Sequence, residues 1–514
     1  MKLFGFTLPI SRLKLNLLAN FAGQGWSAIM GLAFIPIYIR LMGIEAYGLI
    51  GFYLTLQGVL QILDFGLSPT MNREMARYSV QPERATEARD FVRTLEVGYW
   101  ALGVGIGLVI WFIAPFIATH WIKASELPID IILQALRLMG VLSALQWPLS
   151  FYQGGLMGLQ RQAAFNTLQI ASSTLSNGGV ILILWLVSPT IIAFLTWQIM
   201  VNALRVSLIT VLLWRNLPRG PGQARFRPSL FQNSWRFAAG MSGITVLSLI
   251  LTQLDKVLLS RLLTLKFFGY YTLAGIIANS LLTLVGPIFN TLFPQFSALV
   301  TVGDEAALKR LYHRSAQLLA VLILPAAAIL FFFSFDILQI WTSNVETAYN
   351  TAPLVSLLVI GTALNGIQNV PYALQLAYGW TKIGLYMNSI ALIPLILAIS
   401  IMTARFGAIG AATVWVTLNV IYMLISIPIM HQRYLKGEAR RWYLEDVGLP
   451  LAAAVGVVGV GRWFIGPSLP VFWSLISLVL VGLSAVSVAM LAAPHMRAWV
   501  LSQWARLKFE LHPQ

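Results

Sequence analysis

Residues 472–492 read FWSLISLVLVGLSAVSVAMLA, twenty-one positions without a charge. A bilayer core about 30 Å thick takes about 20 apolar residues of helix, so this stretch has the length of one crossing. The signature recurs along all 514 residues. We place spans at 15–39, 46–68, 95–118, 131–155, 163–187, 190–213, 236–260, 268–298, 315–340, 351–378, 383–404, 407–430, 447–465 and 470–492. The connections are nearly all too short to fold alone. The expected fold class is an all-α polytopic membrane protein with about 14 transmembrane helices, which leaves no room for a soluble catalytic domain.

Composition agrees with this. Hydrophobic residues make up 58% of the chain, charged residues 10%, and mean hydropathy is +0.78, far from an ordinary soluble domain. The first apolar run exceeds a signal-peptide core and lacks a small-residue cleavage site, so it is expected to stay as a helix. There is no cysteine, which removes disulfides, thiolate chemistry and Cys-ligated metals. The net charge of +16 is unevenly placed: with the N-terminus inside, 25 of the 34 Lys and Arg fall on cytoplasmic segments and 6 on outer ones. Such a bias orients multi-span proteins. Both termini are therefore expected in the cytoplasm, and the charge reports topology, not nucleic-acid binding.

The end of the first span reads Arg40-Leu41-Met42-Gly43-Ile44-Glu45-Ala46-Tyr47-Gly48, and the end of the seventh Arg261-Leu262-Leu263-Thr264-Leu265-Lys266-Phe267-Phe268-Gly269. At an offset of 221 the Arg, the Leu, an aromatic and the Gly coincide. Each copy leads into a long helix ending near a proline, Pro69 or Pro294, before a basic loop. An even number of spans separates the copies, so the second keeps the orientation of the first. The plan is two six-helix bundles in a parallel pseudo-two-fold repeat plus two extra C-terminal helices. Expected boundaries are 1–220, 221–432 and 433–514.

The stretch from Pro36 to Gly48, then Asp64-Phe65-Gly66-Leu67 and Asn72-Arg73-Glu74, resembles the opening of the polysaccharide-type flippases. These are the O-antigen and exopolysaccharide translocases of the MATE-like superfamily of multidrug, oligosaccharidyl-lipid and polysaccharide exporters. Leu254-Asp255-Lys256 followed by Phe268-Gly269-Tyr270-Tyr271-Thr272-Leu273-Ala274 is similar to that family's seventh-helix pattern. The resemblance spans the full length and the 6+6+2 helix plan. It implies a bacterial cytoplasmic (inner) membrane protein and a lipid-linked oligosaccharide as substrate, carried on a polyprenyl diphosphate. Membrane lipids and other glycan-assembly proteins are the partners it implies. The two extra helices, usually lacking in drug exporters, favour the lipid-linked substrate within that family.

Polar residues inside the spans mark candidate sites, because an unpaired amide in hydrocarbon costs several kcal/mol. The first span carries Asn16, Asn20, Gln24 and Ser27 on one helical face. Similar runs are Asn166, Gln169, Ser173, Ser176 and Asn177; Asn279, Thr283 and Asn290; and Asn365, Gln368, Asn369 and Gln375. Two readings stand: helix–helix hydrogen bonding, or the wall of a hydrated central cavity able to bind sugar hydroxyls. The charges counted within the spans are Asp64, Arg137, Arg205, Asp255 and Lys256. Arg137 and Arg205 either snorkel to headgroups or bind an anionic diphosphate, which guanidinium matches bidentately. Asp64 and Asp255 are candidates for coupling to H⁺ or Na⁺, with a structural tie as the other reading of Asp64. Arg40 and Arg261, equivalent in the repeat, would form an outer anion gate or anchor helix ends among headgroups.

No enzyme signature emerges. The five histidines, His120, His313, His431, His495 and His512, read as loop or tail residues far apart, without metal-ligand spacing. Glu83, Glu87 and Asp90 share the 69–94 loop with five arginines and read as a solvated surface helix. There is no Walker-A pattern, so ATP hydrolysis is excluded in this chain, and no cofactor is called for. The expected function is secondary, alternating-access transport through a polar, cationic cavity between the two bundles. The alternatives are a MATE-like drug/cation antiporter and, behind it, a membrane-embedded glycan polymerase or ligase.

Overall fold

The computed structural model of the protein describes residues 23–64, 66–218, 223–229, 250, 252–380, 382–465 and 470–511. Among them, twelve helices are long and apolar enough to cross a membrane, and there is no strand. Expected spans and observed helices correspond in order. Span 236–260 lies mostly outside the described residues, and spans 383–404 and 407–430 share one run, Lys382–Tyr434. That run is a hairpin. Gly407 adopts φ 59° and ψ −143°, and a Cβ on Gly410 would collide with the carbonyl of Met402. In a straight helix those residues would stand about 12 Å apart. Tyr422 on one arm donates to Asn388 Oδ1 on the other at 2.9 Å, so the arms run antiparallel.

The chain forms two compact units, Met1–Gly269 and Tyr270–Gln514. The first contains α1 (Gly23–Met42), α2 (Ile44–Asp64), α3 (Leu67–Tyr78), α4 (Ala85–Trp121), α5 (Ile129–Gly158), α6 (Gln162–Leu186) and α7 (Ile191–Asn216). Residues 252–262 are helical as well. The expected 69–94 loop is mostly helix. Gly66 turns the chain at φ 77°, and Asp64 accepts from the Ser68 amide at 3.3 Å and hydroxyl at 2.7 Å. Such a carboxylate at a helix start satisfies orphan amides. Met71, Met75 and Tyr78 then bury against Phe91, Leu95, Tyr99, Phe151 and Leu213, forming the largest described core of the unit. The reading of Asp90 as a solvated residue is corrected: it is buried, paired with Arg227 at 2.7 Å, and accepts the Arg225 amide at 2.7 Å. Its partner lies far along the chain, out of reach of local spacing.

Helices in lipid associate by close packing, which favours small residues at crossings. Gly103 and Gly107 of α4 meet Gly140 and Ala144 of α5; a Cβ on Gly107 would stand 2.9 Å from the Gly140 carbonyl, and the converse also holds at 2.9 Å. The repeat motif makes a contact of the same kind with itself. A Cβ on Gly48 would strike the Leu265 carbonyl, and one on Gly269 would come within 2.6 Å of the Ile44 carbonyl. Residues 44 and 48 are the equivalents of 265 and 269, so each copy places its glycine on the other's backbone. Gly48→Val and Gly269→Val are each expected to cost about 1–3 kcal/mol by overpacking. Gly105→Ala, where nothing lies within 4 Å, should be neutral or better. Melting temperatures of the purified variants check the contrast.

The second unit contains most of α8 (Leu265–Val302), α9 (Glu305–Phe332), α10 (Ser334–Thr342), α11 (Val345–Ala377), the hairpin α12 (Lys382–Tyr434), α13 (Ala439–Phe464), α14 (Val471–Ala492) and α15 (Pro494–Leu511). Helix α8 breaks into a tighter turn at Ser280–Leu284, just before Gly286-Pro287. Pro287 has no amide to donate, which explains an interruption there. Helix α11 breaks at Gln368, after Gly366. The two C-terminal helices are not loosely appended: Ala454, Val458 and Ala485 pack on Ala328 and Phe333, and Ala489 packs on Val321.

At one end of α9 lies a buried polar cluster that corrects the reading of the histidines. His313 and His431 are helical, because α9 begins before the expected 315 and α12 continues to Tyr434. His313 Nδ1 lies 2.5 Å from Asp446 Oδ2, and Gln317 donates to Asp446 Oδ1 at 2.8 Å. The His313 ring stacks on His495 at 6.3 Å, and Tyr312 bonds His431 at 3.1 Å. Among the described residues no His, Asp and Glu group is arranged to hold a metal. Lys309 lies 3.3 Å from Glu438 and Arg441 lies 3.3 Å from His495. Burial and the nearby Arg441 hold the His495 pKa below the ordinary imidazole value. Burial pushes Glu438 up, but the bond from Lys309 and the His313 charge outweigh it and hold this carboxyl low. For both groups the unfolded chain binds protons more readily, so acid favours unfolding. Stability is therefore expected to fall as pH drops below about 6.5 for His495, and again below about 4.5 for Glu438. A melting temperature flat between neutral pH and pH 4 would contradict this.

Candidate functional site

Unit one carries a hydrogen-bonded set of interior amides and hydroxyls. Gln57 of α2 donates to Ser143 of α5 at 3.0 Å, Gln146 of α5 to Asn202 of α7 at 3.4 Å, and Ser176 of α6 to Gln198 of α7. Gln169 of α6 reaches Ser27 of α1 at 3.3 Å. Gln198, Asn202 and Arg205 follow one another at spacings of four and three, so they share one helical stripe. Arg205 is half-buried and has no acid, amide or carbonyl partner among the described residues. It stands about 16 Å from the Asn216 end of α7 and about 21 Å from the Ile191 end. A charge at the bilayer centre costs about 2.5–3.5 kcal/mol even on the lenient insertion scale. Arg205 thus combines mid-membrane depth, a polar stripe and an unmet positive charge, which is what an anionic ligand requires.

The other candidates fall into two groups. Several are committed to the protein. Arg137 lies about 12 Å into α5, its guanidinium 5.2 Å from the ring of Trp111, while its buried Nε has no hydrogen-bond partner among the described residues. Asp64 also accepts from Tyr99 at 2.8 Å, so it ties α2 to α3 and α4. Gln368 donates to the Leu364 and Asn419 carbonyls, and Asn365 to the Asn419 side chain at 3.1 Å. Lys256 bonds Gln253 at 3.3 Å within its own turn, and Asp255 beside it is half-buried. Arg261 lies over Trp121 at 5.4 Å. The remainder are open: Gln24, Arg40 and, in the second unit, Asn279 and Asn290 are exposed, with no side-chain hydrogen bond or ion pair among the described residues. Asn16 and Asn20 lie outside the described residues.

Besides Asp90 and Asp446, two buried carboxylates escaped the count of charges. Glu45, inside the repeat motif, accepts the amides of Ser125 at 2.5 Å and Glu126 at 2.6 Å. The same connection, 122–128, gives its Lys123 carbonyl to the Leu265 amide at 2.7 Å, and Trp121 donates to Ser260 at 3.0 Å. Both copies of the motif are thus stitched to one short loop. Glu96 accepts from Tyr152 at 2.8 Å, Trp214 at 3.1 Å and Arg93 at 2.9 Å. The i, i+3 pair Arg93 and Glu96 was the available signal for it.

Comparison with known proteins places this geometry. The family described as polysaccharide biosynthesis protein matches residues 13–300, and the MatE family matches 296–402. A Shigella flexneri protein whose name assigns it to O-antigen transport is 21% identical over 400 residues, covering 78% of this chain and 93% of its own. The fold is similar to that of the lipid II flippase MurJ in an inward closed conformation, with TM-score 0.67, 15% identity, and 93% of this chain and 98% of that one covered. It is also similar to an inward-facing multidrug MATE transporter, with TM-score 0.61, 12% identity, and 84% and 99% covered. With its first family match spanning more than half of its length, this multi-pass membrane protein belongs to the polysaccharide biosynthesis protein family.

Proposed function

We propose that the protein is a secondary flippase of the bacterial cytoplasmic membrane, both termini inside, that carries a polyprenyl-diphosphate-linked oligosaccharide from the inner to the outer leaflet by alternating access. Arg205 carries this reading, as a mid-membrane guanidinium with no counter-charge in its own unit among the described residues. Moving even one bare ion into hydrocarbon faces an idealised cost of order 20 kcal/mol. A cationic polar path removes most of that barrier while the lipid tail stays in the bilayer. An inside-negative potential favours outward movement of negative charge by about 2.3 kcal/mol per charge per 100 mV. The relative named for O-antigen transport and the fold shared with a lipid II flippase support the substrate class.

A MATE-like drug/cation antiporter is the second reading, favoured by the MatE match over 296–402. Deleting the protein from its host separates the two. The flippase reading expects lipid-linked oligosaccharide to accumulate on the inner leaflet and surface glycan to vanish, both restored by the wild-type chain. Normal glycan together with sensitivity to cationic drugs would favour the antiporter.

A further inference from the structure

Helices α4 and α7 both pack on α5, and between them runs a groove of about 630 Å³ that is no part of the polar stripe holding Arg205. Val97 and Trp100 form one wall, Ala203 and Val211 the other, and Leu145 and Tyr152 the floor. Its volume lies within the range of small-molecule sites, about 300–1,000 Å³. Val97 and Val211 are exposed at its lips, so it opens sideways to the hydrocarbon. On α7, Ser207 and Val211 lie on the side opposite Arg205, at helical angles more than a quarter-turn away.

One end of the groove is cationic. Arg93 and Arg89, one turn apart on α4, stand at the inner end. Arg93 donates to Glu96 from Nη1, and its side chain is 52% exposed, leaving most of its five donors unused. Arg89 lies over the Trp214 ring at 5.7 Å, and its buried Nε has no hydrogen-bond partner. Arg215 adjoins Trp214, and Arg225 and Arg227 reach the same end through Asp90. The guanidiniums of Arg89, Arg93 and Arg227 thus stand against two carboxylates, Asp90 and Glu96. Trp214 sits two residues from the inner end of α7, the depth at which tryptophan marks the headgroup layer. Basic pockets between helices on the cytoplasmic side are suited to anionic headgroups.

We propose that this groove binds one anionic phospholipid, an acyl chain lying between α4 and α7 and the phosphate held by Arg89 and Arg93. The apolar lining matches a hydrocarbon chain, and the excess positive charge at one end matches a phosphate and disfavours a zwitterion. The site is separate from the transported substrate and stands whether or not the flippase reading does.

The test uses the full-length protein in nanodiscs of mixed phosphatidylglycerol and phosphatidylcholine, released into native mass spectrometry. The wild type is expected to retain one phosphatidylglycerol. Arg89→Gln with Arg93→Gln should lower retention about tenfold. Ser207→Trp, which fills the groove and leaves the arginines alone, should do the same, and added inorganic phosphate should not displace the lipid. Equal retention of the two lipids overturns the proposal. So does phosphatidylglycerol that survives Ser207→Trp but yields to inorganic phosphate, because the arginines would then be a phosphate site without a chain groove. Melting temperatures matching the wild type verify that both variants are folded.

Discussion

Replacing Arg205 with glutamine is expected to abolish flipping while leaving the protein folded and at its normal level in the membrane. The two effects separate because the guanidinium has no partner to abandon. Removing a hydrogen-bonded charge usually strands its counterpart, but here nothing in the unit loses a bond among the described residues. Relief of the insertion cost, about 2.5–3.5 kcal/mol at mid-membrane, should hold the melting temperature steady or raise it. Function should move the other way. A charge-assisted hydrogen bond contributes about 1.5–3 kcal/mol, and a bidentate phosphate contact has two, so a loss of at least about a hundredfold in transport rate is expected. Arg205→Lys keeps the charge without the planar fork and should fall between. Vesicle-reconstituted flipping of a fluorescent polyprenyl-diphosphate glycan measures the rates. Wild-type flipping by Arg205→Gln would remove Arg205 from the mechanism.

Asp446→Ala is expected to have the largest effect on stability. Asp446 and His313 are fully buried, 0% exposed, and Gln317 completes the cluster. Removing one partner of such a buried, bonded pair costs about 3–5 kcal/mol, since the other polar group is left dry and unmet. The variant should melt well below the wild type and accumulate poorly. His313→Leu with Asp446→Leu removes both sides together and should be milder than Asp446→Ala alone, because nothing charged is stranded. If Asp446→Ala and the double change both leave the melting temperature alone, the cluster does not hold α9, α13 and α15 together.

The spans were legible because lipid imposes a one-dimensional rule, about 20 apolar residues per crossing. Even the break between 404 and 407 appears as the Gly407 hairpin. The two motif glycines stood out for a related reason: Gly48 and Gly269 face backbone, where no side chain can replace them. The side-chain partners were less so. Asp90 meets Arg227, His313 meets Asp446 and Glu45 meets Ser125, all pairs far apart in sequence. Glu45, Glu96 and Asp90 sit near span ends, where an acid ordinarily reads as wetted. The polar runs on α6 and α11 had two meanings from spacing alone. The bonds of Gln169 to Ser27, Ser176 to Gln198 and Asn365 to Asn419 give each run a share in joining helices. Arg205 kept both a legible position and an unspent charge among the described residues.

The reciprocal glycine crossing has a consequence for repair by second mutations. Crowding against a side chain can be cured by trimming that side chain, but every amino acid brings the same carbonyl. No replacement at Ile44 or Leu265 makes room for a methyl group at position 269 or 48. Suppressor screens should therefore return only true revertants here, while lesions at the neighbouring side-chain contacts yield compensating pairs.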